Sequence, residues 1–176
     1  MVYNFKIILL GQAAVGKSAI ADRFVYQQFK EKYMLTIGVQ HFTKKVEVDG
    51  IEAILTIWDL GGQDRFESIR KLFLNGADGA VFVYDTTNSD SLHALFKWYK
   101  DHKEINNKYD ICQNILAENK IDLKESVGEV ISQKMVDYMK NDPIGNIKEY
   151  HSISAKLGIG VNEMFEGLTR LILSIK

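Results

Sequence analysis

The sequence predicts an α/β fold: a mostly parallel six-stranded sheet with one antiparallel edge strand and helices on both faces. Three observations carry that prediction. Apolar runs alternate with helically spaced segments to the end of the chain, the pattern of repeated strand–helix units. The turn Asp49-Gly50 separates two strand-like runs, residues 40–48 and 51–58, and marks one hairpin. The first apolar run leads into Gly11-Gln12-Ala13-Ala14-Val15-Gly16-Lys17-Ser18, a glycine-bounded loop that ends in Lys-Ser before a helical segment.

The elements follow in order. Phe5-Lys6-Ile7-Ile8-Leu9-Leu10 is a buried strand, and the spacing from Ser18 to Val25 is helical. After the hairpin, residues 79–84 are a second buried strand. Asn88 or Ser89 caps the next helix, whose core face is Leu92, Leu95, Phe96 and Tyr99. Residues 111–117 form the next strand and make Cys112 a small buried hydrophobe. Ser126 with Glu129 has the form of a capping box before a helix over 130–139. Residues 141–146, with the sole proline, Pro143, are a surface turn before a last strand over 147–153. The final helix buries Val161, Met164, Phe165, Leu168, Leu171, Ile172 and Ile175. No repeat or linker interrupts residues 1–176, so a single domain is expected.

Composition narrows the function. A net charge of -1 gives no basic field for nucleic acid. One cysteine excludes an internal disulfide. No apolar run reaches the roughly 18 residues of a membrane span, and no signal-peptide pattern opens the chain, so a soluble cytoplasmic protein is expected. Val2 stands where myristoylation needs glycine, and Leu173-Ser174-Ile175-Lys176 holds no cysteine to prenylate. The chain therefore carries no lipidation motif. Membrane association is left to a tail absent from this sequence or to a partner.

The glycine loop fits G-x-x-x-x-G-K-[ST], the phosphate-binding P-loop, in its strand–loop–helix context. Gly11 and Gly16 let the backbone curl so that amides from Ala14, Val15, Gly16 and Ala19 meet phosphate oxygens at a helix N-terminus. Lys17 neutralises the β- and γ-phosphates, and the Ser18 hydroxyl holds Mg²⁺.

Ligands in such sheets bind beyond the C-terminal ends of the strands. Four further segments there carry polar residues that packing does not call for. In Trp58-Asp59-Leu60-Gly61-Gly62-Gln63, Asp59 can bind Mg²⁺ through water and accept from Ser18. Gly62 offers its N–H to a γ-phosphate and Gln63 orients a water; the plainer alternative is a strand-ending turn. In Glu118-Asn119-Lys120-Ile121-Asp122, Asp122 can accept from the N1–H and N2–H₂ edge of guanine, a donor pair adenine lacks. In Ser154-Ala155-Lys156, the Ala155 N–H can reach guanine O6. In Tyr33-Met34-Leu35-Thr36-Ile37-Gly38, Thr36 supplies a second hydroxyl for octahedral Mg²⁺.

In this order and at these separations, the five segments resemble a Ras-superfamily small GTPase over the whole chain, a P-loop NTPase with the Ras-like G-domain fold. Thr36-Ile37-Gly38-Val39, Gln63-Asp64-Arg65-Phe66 and Val83-Tyr84-Asp85 are most similar to Rab-type members. Trp-Asp-Leu-Gly-Gly-Gln is closer to Arf-type members, although the few residues before the first strand leave no room for their amphipathic helix. The resemblance implies GTP and GDP as substrate and product, with Mg²⁺ as cofactor. It implies that Phe29 and the Lys120 stem sandwich guanine, with Asn119 and Ser154 to Lys156 around it, and that Tyr33 closes over the phosphates. It also implies two switches, and effector, exchange-factor and GTPase-activating partners reading Thr36 to Phe42 and Gly61 to Phe73.

Gln63 and Lys17 are the expected catalytic residues, since phosphoryl transfer to water needs positioning and charge neutralisation. No catalytic arginine in cis is evident, because Arg23, the sole arginine between Ser18 and Thr36, lies within the first helix. Hydrolysis is therefore expected to be slow and open to a partner's arginine. Two departures from the family pattern bear on the rate. The Ala13 methyl occupies space that Gln63 and an incoming arginine share, and Gly61 beside Gly62 loosens the second switch. His41, His93, His102 and His151 share no metal-ligand spacing, and Lys97, Lys100 and Lys103 read as a solvated helix face. Trp98 reads as packing. Phe42, Trp58 and Phe73 resemble effector-surface aromatics of Rab-like proteins, with a plain core role as the other reading. A GTP-dependent interaction module with negligible hydrolysis is the alternative function. Asp122 and the lack of an arginine-rich lid disfavour an ATP-using kinase.

Overall fold

The computed structural model describes residues 2–31, 35–63, 67–128 and 130–176, excepting the side chains of Glu67, Ile69 and Arg70. At its centre is β1 (Tyr3–Leu10), whose residues Ile7 to Leu10 are fully enclosed. A strand so apolar on both sides needs covering on both faces, which a parallel sheet with crossover helices supplies. Six strands form one sheet in the order β2-β3-β1-β4-β5-β6, from β2 (Val39–Val48), β3 (Ile51–Leu60), β4 (Gly79–Asp85), β5 (Gln113–Asn119) and β6 (Ile147–Ser152). All neighbours are parallel except β2 and β3, joined through Asp49-Gly50 with both residues at positive φ. The expected six-stranded sheet with one antiparallel edge is the one found.

On one face, α1 (Lys17–Tyr26) and α7 (Val161–Leu173) pack over β1, β3 and β4, with Phe24 and Phe165 stacked at 4.0 Å. Truncating either ring to alanine removes about 3–5 kcal/mol of packing. On the other face lie α2 (Glu67–Leu74), α3 (Ser89–His93), α4 (Leu95–Ile105) and α6 (Gln133–Lys140), around Phe82, Tyr84, Tyr99 and Trp98. Cys112 is fully buried in this cluster.

Several boundaries differ from expectation. The helix after β4 is broken at Ala94 into α3 and α4; Asn88 caps α3 by accepting from the Asp90 N–H at 3.0 Å. Ser126 caps nothing: its hydroxyl donates to Leu123 O at 2.8 Å within the short α5 (Lys124–Val127). Gly128, at φ 71, turns the chain away, and Ser132 caps α6 instead. Glu129 lies outside the described residues. Ile175 is not core: α7 ends at Leu173 and the side chain is 47% exposed. The strand expected over 111–117 begins at Gln113 and runs on to Asn119, and Ile111 is exposed. The turn around Pro143 is anchored from within, for a Cβ on Gly145 would lie 2.6 Å from the Tyr99 ring.

Candidate functional site

Five strands, β1, β3, β4, β5 and β6, deliver the site at one end of the sheet. β1 ends into the loop Gly11-Gln12-Ala13-Ala14-Val15-Gly16, and α1 starts at Lys17 with Gly16 as an N-cap that makes no side-chain bond. Gly11 and Gly16 have φ of 148° and 100°, and Ala14 is left-handed at 68°. Space is as restrictive as conformation. A Cβ on Gly11 would lie 2.3 Å from Val83 O, and one on Gly16 would lie 2.3 Å from Asn119 Nδ2. Lys17 is 5% exposed; its Nζ donates to Gly11 O and Gln12 O at 2.7 and 2.9 Å. The ammonium is thus held across the mouth of the loop, where phosphate charge would be neutralised.

β3 carries Asp59, fully buried, beside β1. Both Ser18 Oγ and Thr36 Oγ1 donate to its Oδ2, the latter at 3.1 Å, and the two hydroxyls are 2.7 Å apart. Asp59 Oδ1 has no hydrogen-bond partner among the described residues. A fully buried carboxylate oxygen without a donor is costly. Two hydroxyls and an orphaned carboxylate oxygen are the hard oxygen donors that suit Mg²⁺, directly or through water. The residues present fit that ion.

Beyond β3, Gly61 N–H donates to Gly38 O at 2.8 Å, and a Cβ on Gly62 would lie 2.3 Å from Ala13 N. The segment after β3 therefore closes directly on the loop at Gln12 and Ala13. Gln63, Thr36, Lys17 and Ser18 line the small cavity there, about 40 Å³, together with Gly16 and Ala19. Tyr33 lies outside the described residues, as do Asp64 to Phe66.

β4 and β5 end level, Asp85 opposite Asn119. Asn119 Nδ2 donates to Val15 O at 2.9 Å and its Oδ1 accepts from the Ala155 N–H at 3.1 Å, tying the glycine loop to the loop after β6. Lys120 is left-handed at φ 67; its Nζ bridges Ala14 O and Asp85 at 2.8 and 2.6 Å. Ser154 Oγ donates to Asp122 Oδ1 at 2.6 Å. A second cavity of about 180 Å³ results, lined by Gly16, Ala19, Phe29, Asn119, Lys120, Asp122, Leu123, Ala155 and Lys156.

Three residues were not anticipated from the sequence. Asp85 fixes the Lys120 ammonium, and it carries the signal that had pointed to Asp59, a carboxylate ending a buried strand. Arg23 donates to Ala155 O and Lys156 O at 2.9 and 2.6 Å, so it braces the loop after β6 from α1. His41, and not Phe42, joins Trp58 and Phe73: centroids are 5.4 Å for His41–Trp58 and 5.2 Å for Trp58–Phe73. Phe42 turns to the opposite face, where it packs near Tyr26 and the α1–α7 core. Ile37 and Leu72, about three-quarters exposed, stand in the same two segments as the His41–Trp58–Phe73 stack. Trp98 is buried in the core, whereas Lys97, Lys100 and Lys103 are exposed on α4.

Fold and site together define a Ras-like G domain, and comparison with known proteins agrees. The Ras family profile matches residues 6–174, and the chain belongs to the Ras family. It is 34% identical over 169 residues to the Ras-related protein Rab-21 of Homo sapiens, covering 96% of this chain and 72% of that protein. It is 36% identical over 169 residues to the Ypt/Rab-type GTPase YPT7 of Saccharomyces cerevisiae, covering 94% and 79%. Rab-21 of Dictyostelium discoideum is also 36% identical, over 95% and 76%. Within the family it is a Rab-type small GTPase. Among the described residues, no helix is long and apolar enough to cross a membrane.

Proposed function

We propose that this chain, as one G domain over residues 1–176, is a switch that binds GTP, hydrolyses it slowly and presents different surfaces before and after. What supports the reading most is the continuity of the two cavities. Gly16 and Ala19 line both, so one elongated ligand with a base at one end and phosphates at the other spans them. At the base end, Asp122 accepts from the N1–H and N2–H₂ of guanine, the Ala155 N–H, bonded to Asn119 Oδ1 in this structure, would be shared with O6, and Phe29 and the Lys120 stem take the two faces of the ring. At the phosphate end, Lys17 and the loop amides hold the β- and γ-phosphates. Ser18 and Thr36, with Asp59 through water, hold Mg²⁺, which when bound neutralises charge on the phosphate oxygens.

Gln63 orients the attacking water, Gly62 offers its amide to the γ-phosphate, and Tyr33 closes over it. Turnover is slow: the two arginines whose side chains are described, Arg23 and Arg170, are held by the Ala155 and Lys156 carbonyls and by Asp49, and a partner's arginine would supply up to about 10⁵-fold. Loss of the γ-phosphate frees Thr36 and Gly62, and with them residues 36–42 and 61–73, which effector, exchange-factor and GTPase-activating proteins read. The His41–Trp58–Phe73 stack with Ile37 and Leu72 supplies an apolar, aromatic contact area there. By likeness to Rab-type relatives, the switch serves membrane traffic from the cytoplasmic side, through a tail or a partner. Displacement of a fluorescent GDP analogue in Mg²⁺ tests the reading: GDP and GTP should compete at least about a thousandfold better than ADP and ATP. Equal competition by adenine nucleotides would contradict it.

A further inference from the structure

Glu118, on β5, is 3% exposed and carries a carboxylate. Such a group is tolerated only when donors surround it. Four do. Thr86 Oγ1 donates to Oε1 at 2.9 Å, while Lys124 Nζ, Tyr150 Oη and Ser152 Oγ reach Oε2 at 2.7, 2.8 and 2.9 Å. Tyr150 Oη also shares a hydrogen bond with Tyr84 Oη at 3.2 Å. Burial alone would raise the carboxyl pKa; the bonds from Lys124, Tyr150, Thr86 and Ser152 outweigh it and hold the group below the usual carboxylate range.

The donors come from three places, each next to a piece of the base-cavity wall. Thr86 follows Asp85, the partner of Lys120. Lys124 follows Asp122 and Leu123. Tyr150 and Ser152 end the strand that leads into Ser154-Ala155-Lys156. The backbone repeats the pattern: Ile153 N donates to Glu118 O at 2.7 Å and Thr86 N to Asn119 O at 3.0 Å. Glu118 itself does not line the base cavity, which begins at Asn119.

We propose that Glu118 is a positioning residue that fixes the separation between Asp122 and the Ser154-Ala155 backbone, and thereby sets both base discrimination and the lifetime of bound guanine nucleotide. The inference rests on the guanine-nucleotide reading above. Charge is what separates a carboxylate from an amide here: Oε2 accepts three donors, the Lys124 ammonium among them, and an amide with its oxygen in that place would turn its N–H₂ to the Thr86 hydroxyl but lose the ion pair with Lys124.

The test compares wild type with Glu118→Gln and with Tyr150→Phe, which removes one donor at the rim of the knot. Dissociation rates are measured for GDP and for IDP, whose base lacks the 2-amino group facing Asp122. Expected is a rise in GDP dissociation of about tenfold or more in Glu118→Gln, a smaller rise in Tyr150→Phe, and a reduced preference for GDP over IDP in both. A staple that only stabilised the fold would lower the melting temperature and leave the GDP-to-IDP ratio untouched. If Glu118→Gln does not fold, Tyr150→Phe and Thr86→Val carry the same two readouts. Folded variants that release GDP within about twofold of wild type, with an unchanged ratio, would overturn the proposal. A wild-type chain that holds no guanine nucleotide would instead overturn the reading on which it rests.

Discussion

The hydroxyl oxygens of Ser18 and Thr36 lie 2.7 Å apart, and both donate to one oxygen of the buried Asp59 carboxylate. Ser18 begins a helix, and Thr36 sits in the segment before β2. Their meeting ties the rigid glycine loop to a segment that must move if the protein is a switch, with Asp59 Oδ1 left to a further ligand. Chelating Mg²⁺ should therefore speed GDP release by about ten- to a hundredfold, and Ser18→Ala should release GDP fast whether or not Mg²⁺ is present. Release rates in EDTA and in millimolar Mg²⁺ check this.

Asp122 holds Ser154 Oγ with one oxygen and lines the base cavity. Asp122→Asn replaces an acceptor with an amide that can donate to a C2 carbonyl. GDP affinity should fall about a hundredfold or more while affinity for xanthosine diphosphate rises, read by competition binding.

His102 is fully buried, with Nε2 3.2 Å from Asn114 Oδ1 and Nδ1 unpartnered among the described residues. Asn114 Nδ2 donates to Gly145 O, so Oδ1 is free to accept and Nε2 carries the hydrogen. Protonating Nδ1 would bury a charge with no acceptor, and burial pushes the pKa down to about 4 against 6.5. The unfolded chain then binds the proton first. Stability is whole above pH 6.5 and falls as pH drops toward 4, by about 3 kcal/mol. Denaturant midpoints across that range should show the slope, and His102→Gln should flatten it.

Cys112 is enclosed in the α4–α6 cluster, and burial, with Asp78 adding, pushes its thiol pKa up to about 12. A colorimetric thiol reagent at pH 8 should label native protein at least about a hundredfold more slowly than urea-unfolded protein.

Ala13 is where the Gly62 backbone presses on the loop. Ala13 and Gln63 line the same cavity, so Ala13→Gly removes a methyl where Gln63 and a partner's arginine would pack. It should raise the partner-stimulated rate more than the intrinsic one, by about tenfold. Single-turnover rates with and without a GTPase-activating protein decide.

The polar residues that line the two cavities, apart from Thr36 in the segment before β2, were legible because they sit at or just beyond the place where a buried apolar strand stops, a place packing does not explain. What was not legible depended on register or on distant parts of the chain. Phe42 and Trp58 look like neighbours across a hairpin, but the register sets Trp58 opposite His41 and Phe42 opposite Ile57, which sends Phe42 to the other face. Ser126 and Ser132 are equally good caps in isolation; Gly128 at positive φ decides between them. Arg23 lies on the α1 face that meets the loop after β6, and no local pattern announces a partner 132 residues away. Glu118 was read as part of the loop, yet its side chain serves the opposite side of the sheet from Asn119, because successive strand residues alternate.

The most direct measurement is single-turnover hydrolysis of GTP by the wild-type chain in Mg²⁺ beside Gln63→Leu. The account predicts slow turnover in the wild type and a fall of about tenfold or more in the variant, with nucleotide still bound. Retention of GTP without turnover in either protein would contradict it and make the chain a GTP-dependent interaction module.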